Sequence, residues 1–532
     1  MSTFIEKLIN YWKACYPMLW VQSHEEGRLL TEIQRLLYVD NLETRPEIQQ
    51  WDAADGIQIA ALKTVKNTPQ VTYKSVGDTA AVGKLLGYLH ERISKEQCKL
   101  FVLKDFHPFL VDPVVVRKLR SLIPLMKQNK HMIVFLSPLI KIPIELEKEI
   151  QLVDFPLPTT EFLAGKLEMV KESGNRYQAT KNKPLYILSE PVLDSSVESA
   201  KGLTSDEAEN AFSLSLITNQ GFGEKFVSTV FDEKVAQVKK SGLLTYLEPD
   251  ISFDQIGGLT GLKTWLKIRG KGYSKEAKKF GLKYPKGVLL AGVPGTGKTL
   301  IAKACSKELG FPLFQLDVGS MFGKLVGETE QNFRNLTKMI DGLGRCIVLI
   351  DEVEKSLNTD AVSGKGDSGT SSRSFGSLLS WFSDHTSPVF VVATSNKFTT
   401  LPPEFIRKGR LDQLFWLDLP QKNERLEIFK VVLQKYQRNP AKFDLDALVG
   451  ASDEFTGAEI DAAVNSALFV AFAAGEKDMN TAGILDQLKQ TTPQAKLNSE
   501  ELNALRKAAQ GKLQMASDDG SITEVKERTL TL

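Results

Sequence analysis

The sequence predicts an α/β protein with parallel sheets. Short apolar runs alternate with amphipathic helical segments, as in strand–helix–strand units. A glycine-rich turn joins one apolar run to a helix, and a fainter copy of the same order precedes it in the chain. In the second half, Gly287–Ala291, Pro312–Leu316, Cys346–Ile350, Val389–Ala393 and Leu414–Leu417 read as buried strands. Thr299–Leu309 and Glu330–Asp341 read as amphipathic helices between them. From Asn423 to Ala474 helices take over, and the polar, Thr-rich stretch Ser517–Leu532 reads as a frayed tail.

The 532 residues suggest three or four packed units at ~150 residues each. The hydrophobic share is 42% and the charged share 25%, which excludes whole-chain disorder. Lys+Arg 67 against Asp+Glu 65 leaves a net charge of +2. This balance gives no general pull toward nucleic acid. No apolar run approaches the ~18 residues of a membrane span. The start carries Glu6 and Lys7 and lacks an apolar signal core, so secretion is not expected. Cys15, Cys98, Cys305 and Cys346 form no close pairs and read as reduced thiols.

The internal repeat rests on three segments in the same order. Lys99–Phe106 (KLFVLKDF) matches Arg345–Glu352 (RCIVLIDE), which pairs Asp105 with Asp351 and Phe106 with Glu352. Ile133–Pro158 matches Phe390–Pro420: strand, Pro-containing turn, short helix, strand, Leu-Pro. Leu203–Ile217 matches Phe455–Phe469. Duplication explains the shared order; the alternative is two unrelated α/β modules with similar patterns.

The chemistry concentrates in the second copy. Gly292-Val293-Pro294-Gly295-Thr296-Gly297-Lys298-Thr299 follows a strand and opens a helix. Such a loop turns backbone N–H groups around phosphates, and the helix N-terminus adds positive dipole. Lys298 would contact the β- and γ-phosphates, and the Thr299 hydroxyl would ligate Mg²⁺. Asp351-Glu352 ends the apolar strand that follows, where ligands of open sheets bind. Asp351 would hold Mg²⁺ and Glu352 would polarise the attacking water. The next strand ends in Thr394-Ser395-Asn396, and Asn396 could reach the γ-phosphate or orient the water. In the first copy the loop slot holds Ser23-His24-Glu25-Glu26-Gly27-Arg28, without Gly-Lys-Thr.

Pro403–Asp412 (PEFIRKGRLD) resembles the second homology region of AAA-type ATPases. The resemblance implies that Arg407 and Arg410 reach a neighbouring subunit's γ-phosphate; the alternative is salt bridges within the chain. It covers about Phe253–Ala474. It implies that Ile256 and Gly257 flank the adenine, that Leu300 joins the nucleotide contacts, and that Ala458 opens the lid helix. Lys324, Leu325 and Val326 fall at the pore loop, with Leu325 where unfoldases carry an aromatic ring. More narrowly, FDQIGGL (253–259), LDVGSMFGKLVGETE (316–330) and KGDSGTSSR (365–373) resemble an AAA group known from a chloroplast reading frame of algae and from cyanobacteria. His24–Arg28 fails as a His-Glu-x-x-His motif, so a fused zinc protease is excluded.

The implied fold is a P-loop AAA ATPase module with a helical lid, preceded by a degenerate AAA-like α/β module. The expected divisions are 1–160 for the degenerate module, 161–246 for a lid-like segment and linker, 247–420 for the ATPase domain, 421–515 for the lid and 516–532 for the tail. ATP and Mg²⁺ are the implied cofactors and a homo-oligomer, six by resemblance, the implied assembly. A protein partner is expected, in the cytoplasm or, for an algal source, the plastid stroma. Three functional classes stay open: remodelling of a protein partner, a nucleotide-switched assembly module, and a nucleic-acid motor, against which the neutral charge counts. Asn358–Ser372 reads either as a second channel loop or as a plain surface loop. Trp381 and Phe382 read as core, and His385 as a surface turn residue.

Overall fold

A computed structural model describes residues 4–37, 46–65, 68–318, 328–357, 378, 380–407, 409–475 and 478–517. Lys324–Val326 and Asn358–Ser372, read above as loops, lie outside the described residues. Two compact units divide the chain: Met1–Val170 with Thr204–Asn210, and Lys171–Leu203 with Ala211–Leu532.

The first unit holds seven strands among the described residues: β1 Met18–Gln22, β2 Glu47–Asp52, β3 Gly56–Val65, β4 Thr68–Val76, β5 Lys99–Lys104, β6 Met132–Ser137 and β7 Ile150–Asp154. Their order is β4-β3-β2-β5-β6-β1-β7. The five from β2 to β7 pair in parallel, while β3 and β4 add an antiparallel extension. The central strands are apolar without alternation, because helices cover both faces of a parallel sheet. Leu100, Phe101, Val102 and Leu103 are accordingly all fully buried.

The second unit carries β8 Leu244–Leu247, β9 Gly287–Gly292, β10 Leu313–Leu316, β11 Cys346–Ile350, β12 Val389–Ser395, β13 Gln413–Leu417 and β14 Gln514–Met515. Their order is β14-β13-β9-β12-β11-β10-β8, with β8 antiparallel at one edge. All five sequence-predicted strands are present: β11 keeps the predicted bounds, and the other four are shifted at one end by one or two residues. Helix Lys298–Leu309 follows β9 and stops at Gly310, whose φ of 66° suits a helix C-terminus. Helices Lys422–Lys435, Leu445–Ala451, Gly457–Ala473 and Thr481–Gln490 build a separate apolar core around Phe429, Leu433, Val464 and Ile484.

The two parallel cores share one strand order. Numbered along the chain within each core, both read 2-3-4-1-5. Their registers correct the sequence alignment by one residue. The Ile133 N–H donates to Pro17 O, as the Val391 N–H donates to Lys286 O, so positions 133 and 391 correspond. Leu100 stands opposite Met132 and Ile347 opposite Phe390. Lys104 therefore matches Asp351, and Asp105 matches Glu352, not Asp351. Both Asp105 and Glu352 have a φ of 48°, the same left-handed turn at the strand end. The apolar runs concealed the slip because either register leaves every strand position hydrophobic.

Trp381 and Phe382 are buried as expected. His385 is half-buried instead of standing free at the surface, and its ring stacks on Trp381 with centroids 4.7 Å apart. The Trp381 indole N–H in turn donates to Asp341 at 3.1 Å. Among the described residues, no helix is long and apolar enough to cross a membrane.

Candidate functional site

The glycine-rich loop is shaped by close backbone approaches. A Cβ at Gly292 would lie 2.1 Å from the Leu417 carbonyl oxygen of the adjacent strand. Gly295, at φ 81°, leaves room for Thr456 and Ala458 at the start of helix Gly457–Ala473. Thr456 caps that helix through a reciprocal pair with Glu459. The Ala458 N–H donates to Gly295 O at 3.2 Å, which ties that helix to the loop.

Lys298 opens its helix and is only 7% exposed. Its ammonium donates to the carbonyls of Gly292 at 3.0 Å and Val293 at 2.8 Å. Burial pushes its pKa down to about 8, against the opposing pull of Glu354, Asp351 and Glu352. A cation held this way has exchanged water for two carbonyls and awaits an anion.

The strand ends supply a connected acidic cluster. The Thr299 hydroxyl lies 3.3 Å from both Asp351 carboxylate oxygens. The Thr394 hydroxyl donates to Asp351 and accepts the Glu352 N–H at 2.9 Å. Asn396 donates its side-chain amide to Glu352 Oε1 at 3.0 Å and its backbone N–H to Glu354 Oε1 at 2.9 Å. Lys355 pairs with Glu352 Oε2 at 2.6 Å from an exposed position. Thr299 and Asp351 together offer hard oxygen donors beside open space, a set that suits Mg²⁺ sharing its sphere with phosphates and water.

A cavity of about 870 Å³ joins these groups. Of the sequence-predicted residues, Ile256, Gly257, Pro294, Gly295, Thr296, Gly297, Lys298, Thr299, Leu300, Asp351, Glu352, Asn396 and Ala458 line it. Gly292 and Val293 contribute carbonyls to Lys298 instead. Ile251, Ile428, Val432 and the Lys435–Asp461 ion pair also line the cavity. Sequence reasoning did not single these out; the helical spacing of Ile428 and Val432 was the available signal. It also missed Glu354, which is 5% exposed with one carboxylate oxygen lacking a partner.

The segment beside Ile256 is held from helix Lys422–Lys435. Glu427 accepts the Gly258 N–H at 2.8 Å and Glu424 accepts the Leu259 N–H at 3.0 Å. Arg407 and Arg410 do not line the cavity. Arg407 is exposed, and neither arginine forms an ion pair among the described residues; Arg410 donates to the Glu404 carbonyl.

The first unit brings different groups to the matching positions. Glu25, 5% exposed, accepts Arg28 and the Ser205 N–H at 2.6 Å, at the start of helix Ser205–Asn219. Lys104 pairs with Asp52 at 2.7 Å and with Glu26 at 3.7 Å. Helix Glu26–Gln34 begins four residues after β1, too soon for a phosphate cradle.

Three family models match the chain. Residues 4–155 match the N-terminal domain of the SpoVK-like AAA ATPases, and 167–241 match their second domain. Residues 288–419 match the ATPase family associated with various cellular activities. The AAA domain-containing protein ycf46 of Guillardia theta is 32% identical over 97% of this chain and 97% of its own length. That of Pyropia yezoensis is 34% identical over 97% and 99%. The 26S proteasome subunit RPT4 of Saccharomyces cerevisiae is 32% identical over 48% of this chain and 59% of its own length.

Proposed function

We propose that this chain, which belongs to the AAA ATPase family and within it to the AAA domain-containing ycf46 group, hydrolyses ATP at the second module and uses the cycle to remodel a protein partner. The observation that carries the reading is the single cavity in which the glycine-rich loop, Lys298, the Asp351–Glu352 pair and Asn396 converge. Loop N–H groups and Lys298 bind the phosphates. Thr299 and Asp351 would hold Mg²⁺, which when bound offsets charge on the β- and γ-phosphate oxygens. Glu352 takes the proton of the attacking water, whose oxygen bonds to the γ-phosphorus as the bond to the β–γ bridging oxygen breaks. Asn396 fixes the Glu352 carboxylate and would face the reacting phosphate. Ile256 and Gly257 flank the base, and Glu424 and Glu427 couple that segment to the lid.

Arg407 and Arg410 complete the site in trans. They lie outside their own cavity and lack internal carboxylate partners among the described residues. A head-to-tail contact would bring them to a neighbour's nucleotide and closes into a ring when its rotation permits; six subunits is the family's habit. Remodelling is favoured over a nucleic-acid motor by the near-neutral charge and by the likeness to a proteasome subunit over the ATPase half. The test is direct. Lys298→Ala abolishes ATP binding, and Glu352→Gln keeps binding but stops hydrolysis. Wild-type turnover in either purified variant overturns the assignment.

A further inference from the structure

We infer that Thr394 is a positioning residue for the hydrolytic step, holding both members of the acidic pair through one hydroxyl. The inference rests on the ATPase reading above. Thr394 is fully buried at the end of β12, two residues before Asn396. Its hydroxyl proton goes to Asp351 Oδ1, and its oxygen receives the Glu352 N–H at 2.9 Å. Glu352 occupies the left-handed backbone region at φ 48°, which a residue with a side chain adopts only at a cost. Asn396 meanwhile holds the Glu352 carboxylate at 3.0 Å. One strand end thus grips the general base twice, at its backbone and at its side chain.

The chain contains its own control for whether the turn alone needs a hydroxyl. By the registers above, Asp105 corresponds to Glu352 and Leu136 to Thr394. Asp105 has the same φ of 48°, yet its N–H donates to the backbone carbonyl of Leu136 at 2.9 Å. The left-handed turn therefore forms against an apolar side chain with a backbone acceptor. At this matched position, Thr394 stands beside the acidic pair, while the apolar Leu136 stands where Lys104 replaces Asp351. Its task is to set the acidic groups, not to make the turn. It holds Asp351 by Oδ1, while the Thr299 hydroxyl lies 3.3 Å from both oxygens of the same carboxylate. It also fixes the backbone from which Glu352 projects toward water. Groups that orient metal ligands in this way typically matter by about 10–100-fold in activity.

The experiment compares steady-state ATP hydrolysis by the full chain in wild type, Thr394→Val, Thr394→Ser and Lys298→Ala. Thr394→Val keeps shape and volume and removes only the hydroxyl. We expect its kcat to fall at least tenfold while the KM for MgATP stays within about threefold and the melting temperature is kept. Thr394→Ser, which restores the hydroxyl, should return to within about threefold of wild type; a merely structural role would not show this pattern. If Thr394→Val fails to fold, Thr394→Ala against Thr394→Ser carries the same comparison. A smaller loss in the hydroxyl-free variant, or an equal loss in Thr394→Ser, beside an inactive Lys298→Ala overturns the inference alone. Turnover that survives in Lys298→Ala overturns the ATPase reading with it.

Discussion

Nucleotide binding at the second module should take up a proton, and the amount follows from the setting of Lys298. Its ammonium is 7% exposed and bonded to two loop carbonyls, and burial brings its pKa down to about 8. Bound phosphates add negative charge a few ångströms away, which raises that pKa beyond the experimental range. The free lysine is deprotonated to about 0.1 at pH 7, 0.5 at pH 8 and 0.9 at pH 9, and binding restores the missing proton. The sign follows: a ligand that binds the protonated form loses affinity as pH rises through the free-state pKa. Integrated from pH 7 to pH 9, affinity should fall about tenfold. The perturbation is pH alone, and MgADP is the probe because it is not hydrolysed. Isothermal titration in two buffers of different ionisation enthalpy gives the proton count, and the same titrations give Kd. Affinity flat between pH 7 and 9, with no proton uptake at pH 8, would refute the argument. It would mean that Lys298 stays fully charged in the free protein despite its burial.

Two further outcomes are expected. With the second site disabled by Lys298→Ala, the full chain should show no residual saturable binding of a fluorescent ATP analogue, because the first module offers Glu25 and Arg28 in place of a phosphate cradle; a micromolar site would refute this. Arg407→Ala should bind ATP yet hydrolyse it ~10³-fold or more slowly, and mixing it with Lys298→Ala protein should recover activity; full turnover in Arg407→Ala alone would exclude a shared site.

Much of the candidate site in the second module was legible because its motifs are local in sequence. Gly292–Thr299 and Asp351-Glu352 are short motifs whose strand and helix settings are written in the adjacent residues. Asn396 needed only the next apolar strand. Less could be read where function depends on packing between distant segments. Glu424 and Glu427 look like ordinary surface glutamates of an amphipathic helix until the backbone of Gly258 and Leu259 is seen to end on them. Glu354 reads as one more charge after Asp351-Glu352, but folding buries it against the backbone of Asn396. The one-residue slip between the halves has a similar origin. An apolar run such as FVL or IVL has no internal mark of register, and only hydrogen bonds to neighbouring strands supply one.

The corrected register changes what the first module is. A nucleotide site needs cations and N–H donors in the loop and an acid at the strand end for the metal. The first module has the opposite arrangement: Glu25 and Glu26 follow β1, and Lys104 stands at the strand end. Glu25 sits at the N-terminus of helix Ser205–Asn219, where an anion is favoured by the helix dipole and by a free N–H. Arg28 neutralises that carboxylate, and Phe155 stacks on its guanidinium at 4.0 Å. Lys104 is neutralised by Asp52. The module thus pairs its own side-chain charges where, on the ATPase reading, a nucleotide and metal would supply them in the second. The start of helix Ser205–Asn219 is bonded to Glu25 within this unit. On the ATPase reading proposed above, nucleotide would act through Lys298, Asp351 and Glu352 of the second module.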